Sequence, residues 1–240
     1  MSNFGVLALF LALPALGVMA GGLLGARKEL SPLVESGVQH FAAGVVFAAI
    51  ATEIIPTVMH GGAPRIAIAG FMIGVAVMFG MRVLVQTVEA RERAPSPYPL
   101  GFIGPVAIDC VIDGAVIGAG FASGAREGLL IASALTLEMF FLGLATAGVI
   151  RGGGGRPAGV LGICVGLGAL LLVSAAVGLS LLSGSSPSLI TGFLAFGSAA
   201  LLYLVTEELL IRAHGGQETN VVTALFYIGF LAIFAVELFA

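Results

Sequence analysis

The sequence contains no tryptophan, three histidines, two cysteines and only 10% charged residues. Each shortage closes off a class of protein. Soluble domains carry about 25% charged residues, so this chain does not read as one of them. No basic patch offers a phosphate backbone a partner, which argues against nucleic acid. Cys110 and Cys164 both fall inside apolar runs, so neither a disulfide framework nor a soluble zinc knuckle is indicated. Without tryptophan, packing must rest on close backbone approach rather than on large aromatic wedges.

What the chain has instead is apolar length. Of its 240 residues, 59% are hydrophobic and 36 are glycine, and the mean hydropathy is +1.13. This is the composition of an integral membrane protein. Eight apolar runs of spanning length can be read, at about 4–25, 38–59, 65–88, 101–124, 127–150, 158–183, 188–213 and 219–240. Charges and turn formers fill the short breaks between them. The expectation is one transmembrane domain over residues 1–240, an all-α bundle of eight spans with antiparallel neighbours. The first run opens Met1-Ser2-Asn3-Phe4 with no basic residue, and its apolar stretch is long for a signal peptide. It reads as a true span, bent at Pro14.

Basic residues set the expected orientation. Arg27, Lys28, Arg82, Arg91, Arg93, Arg151, Arg156 and Arg212 gather at one set of span ends, and Arg65 and Arg126 lie at the other. The positive-inside rule then puts both termini outside a cell (inner) membrane. Small residues four apart, at Gly17/Gly21, Gly70/Gly74, Gly114/Gly118, Gly120/Gly124 and Gly162/Gly166, predict tight helix crossings. There is also an internal echo. Phe41 to Pro56 reads FAAGVVFAAIATEIIP and Ala195 to Leu210 reads AFGSAALLYLVTEELL. The two segments would run in opposite directions through the bilayer, as an inverted repeat requires.

The acids are the chemistry. Asp109 and Asp113 are four residues apart on the fourth span, on one helix face and within about one turn (5 Å) of the bilayer centre. Glu138 lies at the middle of the fifth span, Glu53 in the outer third of the second and Glu207 in the inner third of the seventh. A carboxylate at the membrane centre costs about 2.5–3.5 kcal/mol on insertion scales. Such a residue is either neutralised by a proton or by neighbouring helices, or it serves as a cation or proton site. No lysine or arginine lies at that depth to neutralise the three midplane acids. A divalent cation would remove their mutual repulsion, and an all-oxygen set suits a hard or borderline ion. Cys110 adds a soft donor beside Asp109, or simply a small apolar side chain.

On these residues the chain resembles the ZIP (Zrt/Irt-like protein) family of divalent-metal transporters over essentially its whole length. Asp109-Cys110-Val111-Ile112-Asp113-Gly114 is similar to the fourth-span motif H-N-x-P-E/D-G. Glu53-Ile54-Ile55-Pro56 is similar to the acid-x-x-Pro near the outer gate, and Thr206-Glu207-Glu208 to the seventh-span acidic element near the inner side. There are departures. Asp109, Cys110 and Ile112 replace histidine, asparagine and proline. In the fifth span, where the family has H/Q-E/D-x-P-E-G, Glu138 remains and Phe141 stands in place of the bridging glutamate. The histidine-rich loop between spans three and four is absent.

The resemblance implies one midplane metal site built from Asp109, Cys110, Asp113 and Glu138, with Glu53 and Glu207 on the way in and out. It implies alternating access by an elevator-like shift, commonly in a homodimer. The divalent cation is then substrate rather than permanent cofactor, and the protein is not an enzyme. Zinc is the family's commonest substrate, whereas a site without imidazole favours manganese or iron. Two other readings compete with it. An intramembrane aspartyl protease needs its acids on facing helices in Gly-x-Gly-Asp and Tyr-Asp contexts, which are missing here. The alternative reading is a ZIP-like membrane protein that has lost metal transport and moves protons or another solute, or is regulatory.

Overall fold

Prolines and serines mark where the helices begin. Ser31 and Ser186 accept hydrogen bonds from the Val34 and Leu189 amides, with Pro32 and Pro187 occupying the first helical position behind them. Proline suits that position because its missing N–H would have no partner there. Pro157 opens another helix in the same way. The computed structural model describes residues 3–27, 31–89, 96–214 and 219–239. Lys28, Arg91 and Arg93, on which the expected orientation partly rests, lie outside the described residues, as do residues 215–218 of the last break.

Among the described residues the chain is all helical, without a strand. In order it forms α1 (Asn3–Arg27), α2 (Pro32–Ala49), a π-helical stretch (Ile50–Ile54), α3 (Ile55–His60), α4 (Pro64–Glu89), α5 (Leu100–Ser123) and α6 (Ala125–Gly152). It continues with α7 (Pro157–Leu182), α8 (Pro187–Tyr203), a second π-helical stretch (Leu204–Leu209), α9 (Leu210–His214) and α10 (Asn220–Phe239). The π stretches join α2 to α3 and α8 to α9, so the whole makes eight rods.

Seven rods are long and apolar enough to cross a membrane. The eighth, α10, has 20 residues, about 30 Å of helix, which matches the hydrocarbon thickness. The protein is thus an integral membrane helix bundle. Its ends differ in charge. Arg27, Arg82, Arg151 and Arg156 mark one end, here called the basic end, and Arg65 and Arg126 mark the other.

Glycine decides which rods touch. The closest pairings are α1 with α6, α5 with α7, α2 with α10 and α4 with α8. In each, a β-carbon added to a glycine of one helix would strike the backbone of the other. Gly21 lies on the Phe140 carbonyl, and Gly143 returns the contact on Val18. Gly118 meets Ala175, Gly44 and Gly229 lie against Phe226 and Phe41, and Gly70 sits on Gly192. Lipid is as apolar as leucine, so association in a bilayer depends on this close approach rather than on burial of apolar area. Gly17, Gly74 and Gly114 take part as their spacing predicts. Gly162 and Gly166 do not: nothing lies within 4 Å of an added β-carbon at either. They face outward from α7, because a four-residue spacing fixes a face of a helix and not what that face meets.

Both π stretches fall in the echoed segments, one over Thr52-Glu53 and the other over Thr206-Glu207-Glu208. In each the threonine hydroxyl donates to the carbonyl four residues back, Ala48 in one and Leu202 in the other, at 2.9 Å. A widened turn loosens the ordinary i to i−4 ladder, and the hydroxyl supplies a donor to a carbonyl at that point.

A buried carboxylate cluster between α5 and α6

The site is built on α5 and α6, a helical hairpin turned at Gly124. Asp109 and Asp113 stand one turn apart on α5, and Glu138 faces them from α6. One carboxylate oxygen from each lies within 4.8 Å of the other two. The three residues are 8%, 1% and 2% exposed. Asp113 Oδ2 and both Glu138 carboxylate oxygens are fully buried without a hydrogen-bond partner among the described residues. Buried polar groups are nearly always paired, so three acceptor oxygens left bare in one place ask for a proton or a cation. With all three ionised, each pair, being within 4.8 Å, would repel by roughly 3.5 kcal/mol or more at an effective dielectric near 20.

The other sequence-derived candidates are not members of this three-acid group. Cys110 is buried, but it stands outside this group, and its Sγ lies 4.0 Å from Met139 Sδ. Glu53 is buried in the first π stretch, where it lines a cavity of about 410 Å³ with Thr57, His60, Arg126 and Glu127 at the end opposite the basic one. Glu207 forms an ion pair with Arg82 at 3.0 Å, both side chains being partly exposed. That pair borders a second cavity of about 370 Å³, which opens at the basic end and reaches Asp109. The cavity at the opposite end is lined by none of the three clustered acids.

Two further residues meet this site: Gln39, which the sequence did not single out, and Glu208, named from sequence only as part of the seventh-span acidic element. Glu208 and Gln39 share a small cavity of about 20 Å³ with Asp109 and Glu138, room for roughly one water-sized group. The Gln39 amide oxygen is buried and without a hydrogen-bond partner among the described residues. A lone glutamine in an apolar span was the available signal. Glu208 points about 100° from Glu207 on a helix, so the two cannot face one pathway equally. In the structure that difference sends Glu207 to Arg82 and Glu208 to the cavity.

The fold and the site thus define a membrane-spanning helix bundle with a buried acidic cluster. No family model matches the chain, and no curated protein matches it.

Proposed function

We propose that the protein is a ZIP-like carrier of a divalent metal cation, with Asp109, Asp113 and Glu138 as the ligands at mid-membrane. The observation that carries this reading is that Asp109, Asp113 and Glu138 each bring a carboxylate oxygen within 4.8 Å of the other two, with Asp113 Oδ2 and both Glu138 oxygens buried and unserved by any hydrogen bond among the described residues. A small doubly charged ion bound by one oxygen from each acid replaces three repulsions with three attractions, and at Asp113 and Glu138 it satisfies acceptors that no described protein group serves. Protons compete for the same oxygens, so uptake weakens as pH falls.

The pairing of the rods supports an inverted repeat. Exchanging the first three rods with the last three, and α5 with α6, turns the α1–α6 pairing into α7–α5 and the α2–α10 pairing into α8–α4. The two π stretches exchange under the same operation, and each threonine bond maps onto the other. Such symmetry supplies the two equivalent arrangements that alternating access needs. The cavity that reaches Asp109 from the basic end corresponds, on the positive-inside orientation, to the inward-facing arrangement. Glu53 then belongs to the closed outer side and Glu207 to the open inner side.

The donors at the cluster are all oxygen, with Cys110 turned to Met139. Manganese and ferrous iron are therefore favoured over cadmium, with zinc between them. The test is uptake into proteoliposomes from a panel of manganese, ferrous iron, zinc and cadmium. Saturable, mutually competing uptake, lost in Glu138→Gln, is the expected result. Absence of uptake for every ion, alongside proton or other solute flux, would replace the metal reading with the alternative.

A further inference from the structure

Away from the carboxylates, two histidines lie against each other at the basic end. His40 is on α2 and His214 closes α9; their ring centroids are 5.0 Å apart, with the planes at 68°. A hydrogen bond from the Ser36 hydroxyl to the Ala213 carbonyl, 2.6 Å long, ties the two rods at this level. Ser36 and His40 are four apart and share a helix face. Ala213 is the residue before His214.

The backbone fixes the tautomer of both rings. Nδ1 of His40 faces the Ser36 carbonyl oxygen at 2.9 Å, and Nδ1 of His214 faces the Leu210 carbonyl oxygen at 2.5 Å. A carbonyl oxygen only accepts, so each Nδ1 carries the proton and donates it. In the neutral ring Nε2 is then a bare lone pair. His40 is 1% exposed, and its Nε2 is buried without a hydrogen-bond partner among the described residues. The neighbouring ring supplies no donor to it. A buried acceptor left in this state calls for an explanation.

Metal-binding histidines are held in this manner, with one nitrogen donating to a backbone carbonyl and the other free for the ion. We propose that His40 and His214 form a second cation site, separate from the carboxylate cluster, for a borderline first-row ion such as zinc or copper(II). Imidazole nitrogen suits these ions better than manganese. His214 is exposed, so water completes the coordination shell and the ion can exchange, unlike one in a closed four-ligand structural site. Binding at this pair stands independently of the transport reading. Only its role, as a station for an ion leaving the cluster at the basic end, rests on that reading.

The test uses the full chain in detergent, with zinc as calorimetric probe and copper(II) as spectroscopic probe. Asp113→Asn/Glu138→Gln disables the cluster and should still bind one equivalent of zinc. Adding His214→Gln, at an exposed position, or His40→Gln should weaken that equivalent at least tenfold, while His60→Gln should not. Copper(II) in the cluster-disabled protein should show electron spin-echo modulation from the remote nitrogens of two imidazoles, and of one after either replacement. A melting temperature unchanged by His214→Gln separates lost ligation from lost folding. The proposal is overturned if the cluster-disabled protein binds no zinc, if His214→Gln leaves the affinity unchanged, or if only one imidazole couples to copper. Histidine-dependent binding without any cluster-dependent binding would overturn the carboxylate reading and leave this site standing.

Discussion

Replacing Asp113 by asparagine should move affinity and stability in opposite directions. The side chain is 1% exposed, and its Oδ2 has no partner among the described residues. Removing one partner from a buried charged set costs about 3–5 kcal/mol, or roughly two to three and a half decades in Kd at 1.4 kcal/mol per decade. Without metal the sign reverses. Three ionised carboxylates within 4.8 Å make three repelling pairs of about 3.5 kcal/mol each. The substitution removes two of these, a relief of about 7 kcal/mol with all three ionised, reduced by whatever protons the cluster already holds. For a chain of this length each kcal/mol shifts Tm by about 2–4 °C. Equilibrium dialysis with manganese should give a Kd raised at least a hundredfold. Thermal unfolding in chelator should give a Tm several degrees above wild type, and added manganese should no longer raise it. An unchanged Kd together with a lowered Tm would show that Asp113 has a structural partner and is no ligand.

Other outcomes follow from the same geometry. Gly21→Val drives a side chain into the Phe140 carbonyl, whereas Gly162→Val meets open space. The first should cost about 3 kcal/mol or more and the second under 1, read as Tm in detergent. Asp109→His brings imidazole to the cluster and should raise zinc relative to manganese in uptake competition. Cys110→Ser should leave the cadmium-to-manganese ranking unchanged, since the thiol faces Met139. A cysteine at Ser186 should label with an impermeant reagent from outside and one at Ser96 only after permeabilisation; the reverse pattern would invert the assignment of the two cavities.

The local pattern of the chain was enough to find the rods and to place the acids along them. Apolar runs bounded by prolines, glycines and charges predict helix ends within about two residues of those observed, because solvent and bilayer select on each residue by its own polarity. The exception is the second helix, which starts at Pro32, six residues before the run read from 38. Asp109 and Asp113 share a face by helical spacing alone, and Glu138 sits at matching depth by counting along its own span. The echo around Thr52-Glu53 and Thr206-Glu207 marked both π stretches, although nothing in one-dimensional spacing announces a widened turn.

What the tertiary structure decided is which faces meet. Hydrophobic periodicity cannot orient a helix that is apolar on every side, as α7 is between Gly166 and Leu182. There the backbone contacts at glycine choose the partner, so Gly118 packs and Gly162 does not. The meeting of Asp109 and Asp113 with Glu138, the turn of Cys110 toward Met139, and the division of Glu207 and Glu208 between Arg82 and a cavity all depend on that choice. So does the contact of His40 with His214 across the bundle. Sequence fixes each side chain's angle on its own rod, and packing alone fixes the angle between rods.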